Sequence, residues 1–404
     1  MSISENSNTN AQQSRNNMDE NKQGIEEIPV SNVKSGAPKV KEPFLRITKR
    51  DFTPFTIASC IRALGILIAL ILSALFIVCI TDLNPIKVYI SMFSGAFGTA
   101  TRTWITIRDV MFLLCISVGL APAFKMRFWN IGAEGQVLMG GLVSAACMIY
   151  LNILPTNILL LLMFVVSAIA GALWGLLPAI FKAKWNTNET LFTLMMNYVA
   201  IQTVEYFVDI WDKKNSHSVG QINPDTMAGW FPSALGMKYF YNVVIVVILT
   251  VLVYIYLKYT KHGYEIAVVG ESINTAKYAG INVRRVIIRT MLLSGAICGL
   301  AGFIEVAGIS HTISKSTAGG LGFTAIIVAW LSKFNTLAMA AASLLIVFLD
   351  RGAVQIATDF GLNEYASEII MSIILFFILG SEFFINYRLI FRRRKRKGAE
   401  VNDA

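Results

Sequence analysis

Residues 57–80 run as a nearly unbroken apolar block, and blocks of the same kind recur at 158–181 and 241–257. In a helix, about 20 such residues cover the hydrocarbon of a bilayer. The pattern is one of runs, without alternation of apolar and polar residues, which excludes a β-barrel. Hydrophobic residues fill 55% of 404 positions, so the expected fold class is all-α, a polytopic helical membrane protein. About ten transmembrane helices follow from the periodic apolar segments. They cover 57–80, 106–124, 136–151, 157–181, 190–210, 240–257, 287–308, 318–332, 336–350 and 366–387.

The 35 Lys and Arg residues sort unevenly between the two sides of such a bundle. With the N-terminus inside, one side collects Lys125, Arg127, Lys182, Lys184, Lys258, Lys261, Arg284, Arg285, Lys333 and Arg388. The other side holds Lys87, Arg102, Arg108, Lys238, Lys315 and Arg351 and little more. This asymmetry satisfies the positive-inside rule and places both the N- and C-termini in the cytoplasm. The net charge of +10 is thus explained by orientation in a lipid bilayer. No nucleic acid partner is expected, because the basic residues flank spans and do not cluster with aromatics on one face. The run from Arg392 to Lys397 suits lipid headgroups.

Three regions follow. Residues 1–50 form a polar tail, rich in Asn, Ser, Gln and Lys and expected to stay disordered. It has no apolar core with a cleavage site, so it is not read as a signal peptide. Residues 51–390 form the membrane domain, and 391–404 form a basic cytoplasmic tail. The five cysteines (Cys60, Cys79, Cys115, Cys147, Cys298) lie in or beside apolar spans without paired spacing. They are expected to act as small buried hydrophobes, with no metal site and no disulfide framework.

Polar residues interrupt this chain at a few places. Phe128-Trp129-Asn130-Ile131-Gly132-Ala133-Glu134-Gly135-Gln136 stands at the start of the third span. Polar groups there must face a protein interior or a water-filled path. If the stretch is helical, Asn130 and Glu134 share a face, and the glycines admit a close neighbour. Asn130, Glu134 and Gln136 are then either a patch beside a path or a brace between helices. Asn188, Glu189, Thr193, Asn197, Tyr198, Gln202 and Glu205 form a second polar stripe, lining a pore or bonding between helices. Tyr198 could stack on a ring as well as hydrogen-bond. Glu305, near His311, is a further candidate.

The loop 258–286 is long and oddly built. Ser272 can cap a short helix over 273–279, and Gly280 supplies its stop. Ala276, Ala279 and Gly280 are small, so the loop is either a docking surface or a plain connector. No catalytic constellation occurs: His217, His262 and His311 stand apart, and there is no P-loop. An intramembrane enzyme would need a nucleophile–base pair that is missing.

Gly263-Tyr264-Glu265 through Ala276-Lys277-Tyr278-Ala279-Gly280-Ile281-Asn282-Val283-Arg284-Arg285 resembles the cytoplasmic coupling loop of ABC-importer permeases. The family it is similar to contains the simple-sugar, nucleoside and branched-chain amino acid permeases. Residues 128–136 resemble its Phe-Asn-Ile-Gly-Ala-Glu-Gly-Gln signature, with Trp129 as a departure. Similar too are Asn188-Glu189-Thr190 through Asn197-Tyr198, Ser294-Gly295 through Gly302, and Leu321-Gly322-Phe323 through Leu331. These matches cover most of 105–352, and the Ala133-Glu134 variant looks most like the nucleoside type. Ser314 to Gly322 departs from the family's usual Pro-Gly-Tyr-Gly-Phe-like turn.

The resemblance implies the permease subunit of an ATP-driven importer, working by alternating access in a bacterial plasma membrane. It implies a second homologous permease, ABC ATPase subunits that bind the ATP and Mg, and an extracytoplasmic solute-binding lipoprotein. This chain itself would bind no cofactor and have no ATPase site. Nucleosides are the expected solute, with a simple sugar such as ribose or galactose as the alternative. Glu271, Ala276, Ala279 and Gly280 would then couple to the ATPase. An ion-driven secondary transporter is the rival, and it predicts paired midplane acids with broken helices.

Overall fold

A computed structural model of the chain describes residues 45–50, 54–81, 83–212, 219–234 and 236–391. Both expected tails lie largely outside these residues, as 1–44 and 392–404. Within the stretch expected to be N-terminal tail, Leu45–Lys49 form β1, which pairs with β2 (Tyr387–Phe391) in a two-stranded sheet. The rest of the described chain, the membrane body, is mostly helical, with a non-helical connection over 219–234 and 236–239.

Every expected span coincides with a helix. They are α1 (Phe55–Thr81), α3 (Ala100–Lys125), α4 (Ala133–Tyr150), α5 (Thr156–Trp185), α6 (Glu189–Trp211) and α7 (Phe240–Tyr259). Then come α10 (Val283–Glu305), α11 (Leu321–Leu331), α12 (Thr336–Phe360) and α13 (Glu364–Asn386). Among the described residues 8 helices are both long and apolar enough to cross a membrane. The two that fall short do so for different reasons. α6 has 23 residues but carries the polar stripe. α11 has 11 residues, about 16 Å of rise, roughly half the hydrocarbon thickness.

Three helices lie outside the expected spans. α8 (Lys261–Glu271) and α9 (Ile273–Tyr278) fill the long loop, and α2 (Pro85–Phe97) precedes α3. Asn84 caps α2 by accepting from the Ile86 N–H, with Pro85 as its first helical residue. α2 runs antiparallel to α12: Ser91 donates to Asp359 at 2.6 Å, and Phe97 stacks on Phe348 at 6.0 Å.

The core is built around α10, which packs against α5, α4 and α3. Small residues allow this. A Cβ on Gly299 would collide with the Ser167 carbonyl, one on Gly171 with the Gly295 carbonyl, and one on Gly302 with the Val137 carbonyl. Without a hydrophobic force between helices in lipid, close backbone approach is what gains dispersion energy. Cys115, Cys147 and Cys298 are buried as expected. Cys60 and Cys79 are exposed, because α1 presents most of its apolar surface outward.

Gly299→Leu is therefore expected to abolish recovery of monodisperse protein, read by size-exclusion chromatography in detergent. Gly380, with nothing within 4 Å of a built Cβ, is the control: Gly380→Ala should hold or raise the melting temperature.

Candidate functional site

The polar phrase is a turn and a helix start. α3 ends at Lys125, Arg127 takes a left-handed conformation (φ 59°), and α4 begins only at Ala133. Asn130 and Glu134 therefore do not share a helical face, and each has its own partners. Asn130 is fully buried. Its Nδ2 donates to Gln136 Oε1 and Ser294 Oγ, both at 3.3 Å, and its Oδ1 accepts from the Gly132 N–H at 3.0 Å. Gln136, also buried, returns a bond from Nε2 to Asn130 Oδ1 at 3.4 Å. A closed carboxamide pair of this kind spends its donors and acceptors inside the bundle.

Glu134 reaches elsewhere. Its carboxylate accepts from the Gly320 and Gly322 N–H groups, each at 2.8 Å. Those amides open α11, and Glu134 itself lies in the first turn of α4. One negative group thus serves the positive ends of two helices. The glycines are required: Gly320 has φ 74°, and a Cβ on Gly322 would lie 2.6 Å from the Glu134 nitrogen. The segment 314–322, where the family turn is absent, supplies these amides. It also carries Lys315, paired with Glu205 at 2.8 Å.

α6 is laced to the same turn. Asn197 Nδ2 donates to the Ile131 carbonyl and its Oδ1 accepts from the Gly135 N–H, both at 2.9 Å. Thr193 Oγ1 accepts from the Ile131 N–H at 3.2 Å. The buried stripe of α6 is Thr193, Asn197, Ala200, Val204 and Val208. Tyr198, Gln202 and Glu205 fall off that stripe. Tyr198 is 59% exposed on the chain's surface, so it does not stand beside Asn197. Asn188 caps α6, accepting from the Thr190 and Leu191 N–H groups at 3.1 and 3.2 Å. Glu189 pairs with Lys182 at 2.7 Å.

Glu189 belongs with the long loop. A cleft of about 540 Å³ is lined by Arg127, Phe128, Lys182, Glu189, Glu271 and Ser272, among others. It joins the α3–α4 turn, the α5–α6 turn and the α8–α9 pair. α9 is built as its residues imply: Ser272 Oγ accepts from the Thr275 N–H at 3.2 Å, and Gly280 ends it at φ 75°. Ala276 is buried, so it faces the bundle and not a partner. Glu271, Tyr278, Ala279 and Gly280 are exposed, Tyr278 at 94%. At the base, a Cβ on Gly270 would collide with the Lys125 carbonyl. α8 therefore presses directly on the end of α3. His262 of α8 contacts the Tyr256 hydroxyl. Burial pushes its imidazole below the usual range despite the opposing pull of Glu265.

Glu305 ends α10 where a π-helical turn, Val306–Ser310, follows. It lies within electrostatic reach of Arg108 and Asp109. His311 stacks on Trp230 at 3.8 Å. Arg351 corrects the charge reading. Arg108 falls within the expected span 106–124, but the structure extends α12 on to Phe360, so Arg351 too lies inside a helix and not in a loop. Asp109 holds them together, accepting from Arg108 Nε at 2.8 Å and Arg351 Nε at 2.6 Å. Three charges inside candidate spans were the signal for this network.

Glu134→Ala removes two charge-assisted bonds and is expected to cost about 3 kcal/mol, read as a lower melting temperature and lost transport. Glu134→Gln keeps one acceptor oxygen and should fall between the two. Unchanged stability in both would refute the two-helix role.

Residues 104–379 match the family model described as a branched-chain amino acid transport system / permease component. The chain is 30% identical to a glucose ABC transporter permease protein of Haloferax volcanii, over 85% of this chain and 93% of that one. It is 28% identical to a guanosine ABC transporter permease protein of Bacillus subtilis, over 77% and 89%. A nucleoside ABC transporter permease protein of Lactococcus lactis is also 28% identical, over 73% and 84%. No solved structure matches. The apolar helices, the interlocked polar turn and these matches agree: the chain belongs to this permease family and is the membrane-embedded permease subunit of an ABC importer.

Proposed function

We propose that the chain imports nucleosides across a bacterial plasma membrane, paired with a second homologous permease. ABC ATPase subunits would bind the ATP and Mg, this chain holding neither, and an extracytoplasmic lipoprotein would deliver the solute. Both termini would face the cytoplasm. The observation that carries the reading is the contact of α8 with α3. Force applied to Glu271, Ala279 and Gly280 by an ATPase passes through Gly270 to Lys125. It then enters the turn that holds Asn130, Gln136 and Glu134. From there Glu134 moves α11, and Asn197 and Thr193 move α6. A two-state switch needs such a rigid element shared by several helices.

In this reading Asn130, Gln136, Asn188, Glu189 and Asn197 shape the path, and Glu305 borders its outer half. Tyr198, Gln202 and Glu205 face out of the single chain from within α6. Lipid is a costly neighbour for such groups, so we assign them to the side that meets the second permease and the solute. An aromatic ring there suits a base or a ribose. Nucleosides are favoured by the guanosine and nucleoside permeases among the relatives. A simple sugar is the second reading, favoured by the glucose permease at 30% identity.

Two measurements test this. Deleting the chain's gene should abolish uptake of radiolabelled guanosine and leave glucose uptake intact; the reverse pattern makes the sugar reading correct. Replacing exposed Ala279 by Arg should lower the amount of ATPase that copurifies by about tenfold, a loss of ~1.4 kcal/mol in association. Full retention of ATPase and of uptake would remove α9 from the coupling role.

A further inference from the structure

Three spans end at one basic pocket. α3 stops at Lys125, α7 at Tyr259, and α12 starts at Thr336, so the pocket lies where the helices leave the membrane. Its volume is about 240 Å³, and its lining includes Lys125, Lys258, Lys333, Phe334, Asn335 and Thr336. Three lysines thus line one pocket that has no carboxylate in its lining, and the positive end of the 25-residue helix α12 adds to their charge.

Each lysine keeps donors to spare. Lys125 Nζ donates to the Leu257 carbonyl at 3.2 Å, Lys258 Nζ to the Tyr254 hydroxyl at 2.9 Å, and Lys333 Nζ to Asn386 Oδ1 at 3.2 Å. An ammonium has three N–H groups, so each has capacity left for an incoming oxygen. Outside the lining, Glu382 stands 3.8 Å from Lys333, but it also pairs with Arg62 at 2.7 Å. The second, independent observation is Thr336. Its residue is only 2% exposed, it lines the pocket, and its hydroxyl has no partner. A buried hydroxyl left unpaired costs free energy that a bound acceptor would recover.

A groove of about 370 Å³ has an apolar lining that includes Ile66, Leu331, Ala338 and Ile378, and the paired Arg62 and Glu382 line it too. Ser332, buried and also unpartnered, lines the groove, and Lys333 beside it in sequence lines the pocket. Phosphate chemistry and acyl-chain chemistry thus adjoin at a membrane boundary. We propose that this pocket binds the phosphate of an anionic membrane lipid, with its acyl chain in the neighbouring groove. Lys125, Lys258 and Lys333 supply the charge, and Thr336 donates the hydrogen bond.

Native mass spectrometry of the full chain in detergent, with phosphatidylglycerol or phosphate-free diacylglycerol added, tests this. The expected preference for phosphatidylglycerol is about tenfold, the scale of one charge-assisted hydrogen bond. Lys258→Gln, at an exposed helix end, and Thr336→Val should each bring that preference close to one. Thr336→Val should meanwhile keep or raise the lipid-free melting temperature, because it removes an unpaired hydroxyl; this separates lost binding from lost folding. Equal retention of the two lipids, or a preference that survives both substitutions, overturns the proposal. Variant-sensitive protection by inorganic phosphate without lipid retention assigns the site to a free anion and overturns the lipid source.

Discussion

The membrane body depends on one carboxylate. Glu134 stands in the first turn of α4 and accepts the two amides that open α11. Without it, two helix N-termini would approach each other in a low-dielectric interior with nothing between them. With it, α11 can be only 11 residues long and still hold a fixed place, because its buried end is satisfied. The family signature around residues 128–136 is therefore a junction between helices, where glycines 132, 135 and 322 admit close neighbours and Gly320 supplies the left-handed turn.

The junction connects elements that lie apart in the sequence. On one side it is pressed by α8, whose Gly270 fits against the last carbonyl of α3. On the other it holds α6 through Thr193 and Asn197, each bonded to backbone of the turn. Residues with their hydrogen bonds already spent are poor solute ligands but good transmitters, since they move only as a set. Away from the junction, a second fixed point is Asp109, shared between Arg108 and Arg351. The body is thus tied at two depths, with the glycine-lined crossing of α10 on α5 between them.

Much of this was legible in the chain. Apolar runs gave the helices because a bilayer demands a fixed length of them. Ser272 and Gly280 marked the ends of α9 because capping and left-handed stops are local chemistry. Other elements left no such trace. α2 is too short and too mixed to register as a span. Arg351 read as a loop charge, because a charge inside a span is costly until its partner is known. Asn130 and Glu134 read as one helical face, because four-residue spacing carries no information about where a helix begins.

The sequence by itself determined that this chain is built of many membrane-length apolar helices, which family it resembles, and where a long capped loop sits. These follow from composition, charge asymmetry and short-range motifs, each of which acts within a few residues of itself. The tertiary structure alone decided that Glu134 serves α11, that Glu189 and Glu271 share a cleft, that Ala276 faces inward, and that three lysines line one pocket with an unpaired threonine. Those pairings join residues separated by tens to hundreds of positions. They exist only because helix packing closes the distance, and no local propensity encodes that closure.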